Sequence, residues 1–125
     1  MYKKYKILIV FLFASMMHAE DFITNFEYGQ MLYHEPRGVS CVPCHGETGE
    51  GRDIASYKNK RGETVVLRGP DIRDTTLSKL TQSLKNGKGV MPRYFFTNKE
   101  IKMIYSYLKK VNATEENNST KGEEQ

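Results

Sequence analysis

Two cysteines, three histidines and no tryptophan stand in a chain of 125 residues. So few soft ligands put a closed structural zinc site out of reach. Such a site needs four, and beyond the first 19 residues only Cys41, Cys44, His34 and His45 qualify, with His34 reached only by bending the chain back. No βαβ pattern surrounds the cysteine pair, which counts against a thiol–disulfide centre. Long apolar runs are missing as well. The longest, Ile7 to Met17, has 11 residues, little more than half of the roughly 20 that a bilayer core demands. Preceded by Lys3, Lys4 and Lys6 and followed by the small Ala19, it reads as a secretory signal peptide over residues 1–19, leaving no membrane span once cleaved. Charge of one sign is not in excess either. Without the three leader lysines the 19 Lys and Arg become 16 against 15 Asp and Glu, and the net charge falls from +4 to +1. A chain so balanced is not built for nucleic acid. Taking the 19 leader residues from 125 leaves 106, enough for one domain.

What the chain does have is Cys41-Val-Pro-Cys44-His45. Two thiols three residues apart, with an imidazole directly after the second, form an attachment site for c-type haem. Each sulfur can add across one haem vinyl group, and the adjoining imidazole is then forced under the iron as an axial ligand. Both cysteines are used up in this way, so no structural disulfide is left over.

Around this motif the core reads as helices. Phe22, Phe26, Gly29 and Tyr33 recur on one face between Asp21 and His34, in a helix that must stop before Pro36. Gly29 inside that stripe costs about 1 kcal/mol relative to alanine, so its use is to let another helix cross closely. The partner opens with a Thr97–Glu100 capping box and carries Ile101, Ile104, Tyr105, Leu108 and Val111, with Lys109 and Lys110 suited to its last turn. Between the two, Leu77, Leu80 and Leu84 mark a shorter helix, capped near Asp74 or Thr75 and ended by Gly87. Ile54–Tyr57 and Thr64–Leu67 flank a polar turn and read as a small β-hairpin. From Asn112 to Gln125 only Ala113 is apolar, so residues 112–125 are expected to form a disordered polar tail and the folded domain to span residues 20–111. Within the tail, Glu116-Asn117-Asn118-Ser119-Thr120 matches an extended N-glycosylation acceptor pattern around Asn118, although a polar tail can match by chance.

With Cys41-Val-Pro-Cys44-His45-Gly46 after a Gly29-bearing helix, Gly69-Pro70, Met91-Pro92 and an aromatic-bearing final helix, the chain resembles a small class I c-type cytochrome of the bacterial periplasm. The resemblance covers Phe22 to Val111. It implies an all-α fold, with N-terminal and C-terminal helices crossing and a third helix before the Met-ligand loop; the long run between the haem motif and Pro70, where the short β-hairpin is read, departs from the leanest members as an insertion. It also implies one covalently attached haem c held by Cys41 and Cys44, with His45 as proximal and Met91 as distal ligand. The Pro70 carbonyl would accept a hydrogen bond from the second ring nitrogen of His45, which orients the imidazole. Lacking Trp, the chain would replace any indole contact to a haem propionate with Tyr57, Arg68 or Arg73. Export agrees with this resemblance, because covalent haem attachment in bacteria takes place outside the cytoplasmic membrane.

Met91 is also favoured without the family. Met31 and Met103 lie in helical patterns, where methionine usually serves core packing. Met91 follows Gly87-Lys88-Gly89, which permits close approach to the haem, and Pro92 stiffens the chain behind it. His34 and a vacant sixth site are the alternatives. A soft thioether raises the reduction potential and fills the position that oxygen or peroxide would need. The expected function is therefore not enzymatic: a periplasmic, monomeric, diffusible one-electron carrier. Its redox partners, as the family suggests, are a quinol-oxidising complex as donor and a terminal oxidase or peroxidase as acceptor. The alternatives are a haem-bearing subunit of a larger oxidoreductase and a peroxidase-like enzyme with an open distal site. Lys85, Lys88 and Arg93 bracket the Met91 loop as a candidate docking ring.

Overall fold

The computed structural model describes residues 22–120. The expected leader over residues 1–19 and the end of the expected tail, 121–125, lie outside them. Thr24 opens the first helix, α1 (Asn25–His34), with a reciprocal cap: the Glu27 carboxylate accepts from the Thr24 amide at 2.8 Å, and the Thr24 hydroxyl accepts from the Glu27 amide at 3.2 Å. The cap leaves Phe22 outside the helix and fully exposed, so the buried stripe consists of Gly29, Leu32 and Tyr33, with Phe26 packed at its edge. A short helix, α2 (Val42–His45), follows, with Cys41 at its N-cap and Pro43 in its first turn, where proline's missing N–H costs nothing.

Strands β1 (Asp53–Lys58) and β2 (Thr64–Arg68) then pair antiparallel, Lys58 opposite Thr64 and Ser56 opposite Val66, with a bulge between Asp53 and Ala55. This sheet corrects the all-α expectation: among the described residues the fold is mixed, four helices and one two-stranded antiparallel sheet. The physical reason lies in Thr64-Val65-Val66. These β-branched residues lose side-chain freedom in a helix and favour an extended ladder. The Asn59 side chain closes the turn by accepting from the Arg61 and Glu63 amides.

Helix α3 (Leu77–Asn86) is capped by Thr76, one residue past the positions expected, and ends at Gly87. It buries Leu80 and Leu84. Helix α4 (Asn98–Thr120) opens on the expected box, the Thr97 amide donating to Glu100 at 2.7 Å and the Glu100 amide to Thr97 at 3.2 Å. It runs past Val111, so Lys109 and Lys110 lie inside the helix rather than in its last turn. Lys109 donates to the Arg73 carbonyl, and Lys110 sits over the Phe26 ring. Ile101, Ile104 and Leu108 are buried with Tyr107, whose ring packs tilted, centroid to centroid at 5.4 Å, against both Phe26 and Tyr33.

The crossing of α1 and α4 is the centre of the fold. A Cβ at Gly29 would collide with the Met103 carbonyl of α4, so only glycine lets the two backbones touch. Above the crossing Glu100 is a hub. It accepts from both Thr97 donors, from Arg37 at 2.8 Å and from the Tyr28 hydroxyl at 3.2 Å. This ties α1 and the segment before Cys41 to the start of α4. The Thr97 backbone donor, then the Arg37 and Thr97 side chains, outweigh burial and hold the Glu100 carboxyl at about 2, below its ordinary 4.5.

Two outcomes follow. Gly29→Val is expected to cost about 1–3 kcal/mol or more by overpacking the crossing, read as a fall in Tm. A folded-state value near 2 means that the Glu100 contribution is complete above pH 4.5 and is lost as pH falls toward 2. Glu100→Gln should therefore lower Tm at neutral pH and remove part of the acid dependence in that window; an unchanged pH–stability curve would refute the hub.

Candidate functional site

The site is built where the backbone turns from α2 into β1 and where β2 leaves the hairpin. The Cys44 carbonyl accepts from the Arg52 amide at 3.0 Å, and the His45 carbonyl from the Gly51 amide at 2.7 Å. From the other strand, the Gly69 amide donates to the Arg52 carbonyl at 2.8 Å. Gly69 also lies directly on the Cys44 carbonyl, so closely that any side chain there would displace it. That contact brings the next residue alongside the histidine: His45 Nδ1 donates to the Pro70 carbonyl at 2.9 Å. Proline has no N–H to compete, and the bond fixes the tautomer, leaving Nε2 as the nitrogen able to bind iron.

His45 is buried, as is Cys41, while Cys44 is partly exposed; neither cysteine is in a disulfide. Burial, with a smaller contribution from Cys44, pushes the Cys41 thiol up to about 12. A thiol held protonated is a poor disulfide-exchange nucleophile. Two tyrosines brace the motif. Tyr33 donates to the Gly46 carbonyl at 2.8 Å, and Tyr107 to the Glu47 carbonyl at 3.0 Å. Among the described residues no three His, Cys, Asp or Glu gather in a way that could hold a metal ion.

Met91 lies outside any helix, in a turn where its amide and carbonyl both pair with Lys88, at 3.0 and 3.2 Å. It is half-buried and packs against the main core. The other sulfur candidates are placed otherwise: Met31 is exposed on α1 and Met103 is buried in α4. His34, the rival imidazole, ends α1 with Nε2 at 3.5 Å from Glu47 and its ring edge-on to Tyr33 and Tyr107. The proposed substitutes for an indole are also engaged. Arg68 pairs with Asp53 and Arg73 with Asp71, both at 2.6 Å, while Tyr57 is exposed on the hairpin. In the expected docking ring, Lys85 donates to Asn98 and Arg93 to the Lys85 carbonyl. The contact between Gly69 and Cys44 is the feature that sequence reasoning missed. Gly-Pro was visible, but its meeting with the cysteine turn is purely tertiary.

Two reduced thiols and an oriented imidazole on one helical turn have a common use in protein chemistry, the covalent capture of haem, and they place the protein in the c-type cytochrome class. A family model described as cytochrome c oxidase, cbb3-type, subunit III matches residues 24–108, and the chain belongs to that family. No curated protein and no solved structure shows a significant match. The cofactor the family implies is haem c, covalently bound. The donor set fits it: the chain's two cysteines are unpaired, and the imidazole between them and Pro70 has one nitrogen committed and one to offer. Haem-based electron transfer, with redox proteins as partners, follows from the family.

Gly69→Ala is expected to part the Cys44 and Pro70 segments, lowering the yield of haem-stained protein and costing about 1–3 kcal/mol of stability, read as a fall in Tm. A variant of wild-type yield and stability would show that the contact is dispensable.

Proposed function

We propose that this protein is a diffusible, monomeric one-electron carrier of the periplasm, not an enzyme. Cys41 and Cys44 hold the haem by thioethers, with His45 as proximal and Met91 as distal ligand. Bound haem supplies a one-electron couple, whose ferrous state a thioether favours. The chain's contribution is to hold both ligands still. Pro70 keeps the His45 ring in one orientation, and the Lys88–Met91 pairing keeps the methionine on a short, hydrogen-bonded turn instead of a helix face. That turn is the observation that carries the reading. A distal residue fixed by its own backbone bonds stays in place in both oxidation states, and a filled sixth position leaves no room for peroxide chemistry. Export rests on the leader expected over residues 1–19. The donor and acceptor suggested by the family resemblance are a quinol-oxidising complex and a terminal oxidase or peroxidase.

The matched family is described as an oxidase subunit, and this favours a second reading, a haem-bearing subunit of a larger oxidoreductase. Among the described residues no helix is long and apolar enough to cross a membrane.

The ferric holoprotein should show the weak long-wavelength absorption band of thioether-ligated haem, and Met91→Ala should abolish it. A band that survives the substitution removes Met91 from the iron, and a high-spin wild-type spectrum opens the distal site to the enzyme reading. Size exclusion of the native extract separates the other two readings: a free carrier elutes as a small monomer, a subunit with its complex.

A further inference from the structure

The hairpin is the one element of the fold that buries almost nothing of its own. Every residue of β1 is exposed, and β2 alternates, with Val65 and Leu67 half-buried and Thr64, Val66 and Arg68 exposed. A two-stranded ribbon is marginal by itself, so its persistence rests on local bonds. Arg68 pairs with Asp53 across its base, Lys58 donates to Thr64 at 2.9 Å, and Asn59 donates to Glu63 at 2.7 Å.

Its charge sets it apart. From Arg52 to Arg68 there are five basic residues (Arg52, Lys58, Lys60, Arg61 and Arg68) against Asp53 and Glu63, a net +3. From Glu20 to Val111 the balance is 15 basic against 11 acidic residues, or +4, so the rest of the core carries only +1. The hairpin proper, Asp53–Arg68, has four of these basic residues against two acidic ones, a net +2, so half of the net positive charge of the folded domain is on this one projection. At its tip Lys60 and Arg61 make no ion pair among the described residues, and Glu63 is held by Asn59. Lys58, Ser56, Thr64 and Val66, 51% exposed, form the outer face next to that tip.

The base of the ribbon is anything but loose. Arg52 donates to the Cys44 carbonyl and Gly69 to Arg52, and Pro70, directly after, accepts from His45. Whatever seats on the tip is held in register with the haem-bearing turn.

We propose that the β-hairpin Asp53–Arg68 is an electrostatic docking arm for an acidic surface on a redox partner protein, with Lys60 and Arg61 at its tip as the recognising charges. This rests on the carrier reading above. The ring of Lys85, Lys88 and Arg93 would be at most a secondary site, because two of its members are tied to neighbouring groups.

The test uses the holoprotein and native membranes supplied with a quinol as reductant, following reduction of the haem by absorbance. Lys60→Glu combined with Arg61→Glu lies at an exposed turn and leaves Asn59 and Gly62 in place. It should raise KM roughly tenfold at low ionic strength with kcat unchanged, and converge with wild type near about 1 M salt, where the screening length is about 3 Å. A Lys85→Glu variant should change KM far less. Equal KM values for wild type and the tip variant, with wild type turning over normally, would overturn the arm and leave the carrier reading intact. A wild-type holoprotein that the membranes do not reduce would overturn the carrier reading, and the arm with it. The occupant is checked with vesicles of phosphatidylglycerol: holoprotein that sediments with them through Lys60 and Arg61, while its membrane kinetics are unchanged by the substitutions, would mean that the arm meets lipid and not protein.

Discussion

The van der Waals meeting of Gly69 with the Cys44 carbonyl is the constraint on which the site depends. It joins two segments separated by the whole hairpin, and it does so where no side chain can intervene. Pro70 is then next to His45 without further adjustment, and the histidine acquires an acceptor that can neither rotate away nor donate back. The ring's orientation, its tautomer and the basicity of its free nitrogen are consequences of that one backbone approach. With His45 as the proposed proximal ligand, covalent attachment would fix only where the haem is, and the Gly-Pro strand end would decide how the imidazole meets it.

A second close approach performs the same service for the frame. At Gly29 the N-terminal helix lies on the backbone of the C-terminal one, and the Phe26, Tyr33 and Tyr107 rings fill the space around the crossing. Tyr33 and Tyr107 then reach from that core to the carbonyls of Gly46 and Glu47. The helix pair is thus joined to the residues just after the histidine, so frame and site are one body, and changes at either crossing will be felt in the other.

Local chemistry was the legible part of this molecule. The Cys-x-x-Cys-His spacing, the Thr97–Glu100 box, the leucine stripe of α3 and the crossing role of Gly29 each need only a few neighbouring residues to be recognised. The β-branched run Thr64–Val66 was visible too, yet its weight in the fold class was underestimated, because a hairpin with little to bury gives a weak signal beside three amphipathic helices. The Thr24–Glu27 cap went unread, since Phe22 extended the apolar spacing backward across it. Tyr107 is buried beside Ile104 and Leu108, but a stripe drawn through Tyr105 passes beside it. Hydrogen bonding decided between the two tyrosines: the Tyr107 hydroxyl has a carbonyl to reach at Glu47, and that partner exists only after the chain has folded back.

The burial of Cys41 bears on the order of events in the life of the chain. Its sulfur belongs to the core that Tyr33, Leu80 and Leu108 help to close, and those residues come from three separate helices. If Cys41 and Cys44 take the haem as proposed, both thiols must be within reach at once, and a buried Cys41 is within reach only while the last helix is still away from the first. Because the two helices are contributed by opposite ends of the domain, the chain stays open until nearly all of it has emerged. Maturation therefore has to be finished by the time the crossing at Gly29 forms, and a variant that closed that crossing early would be trapped as a folded, colourless protein.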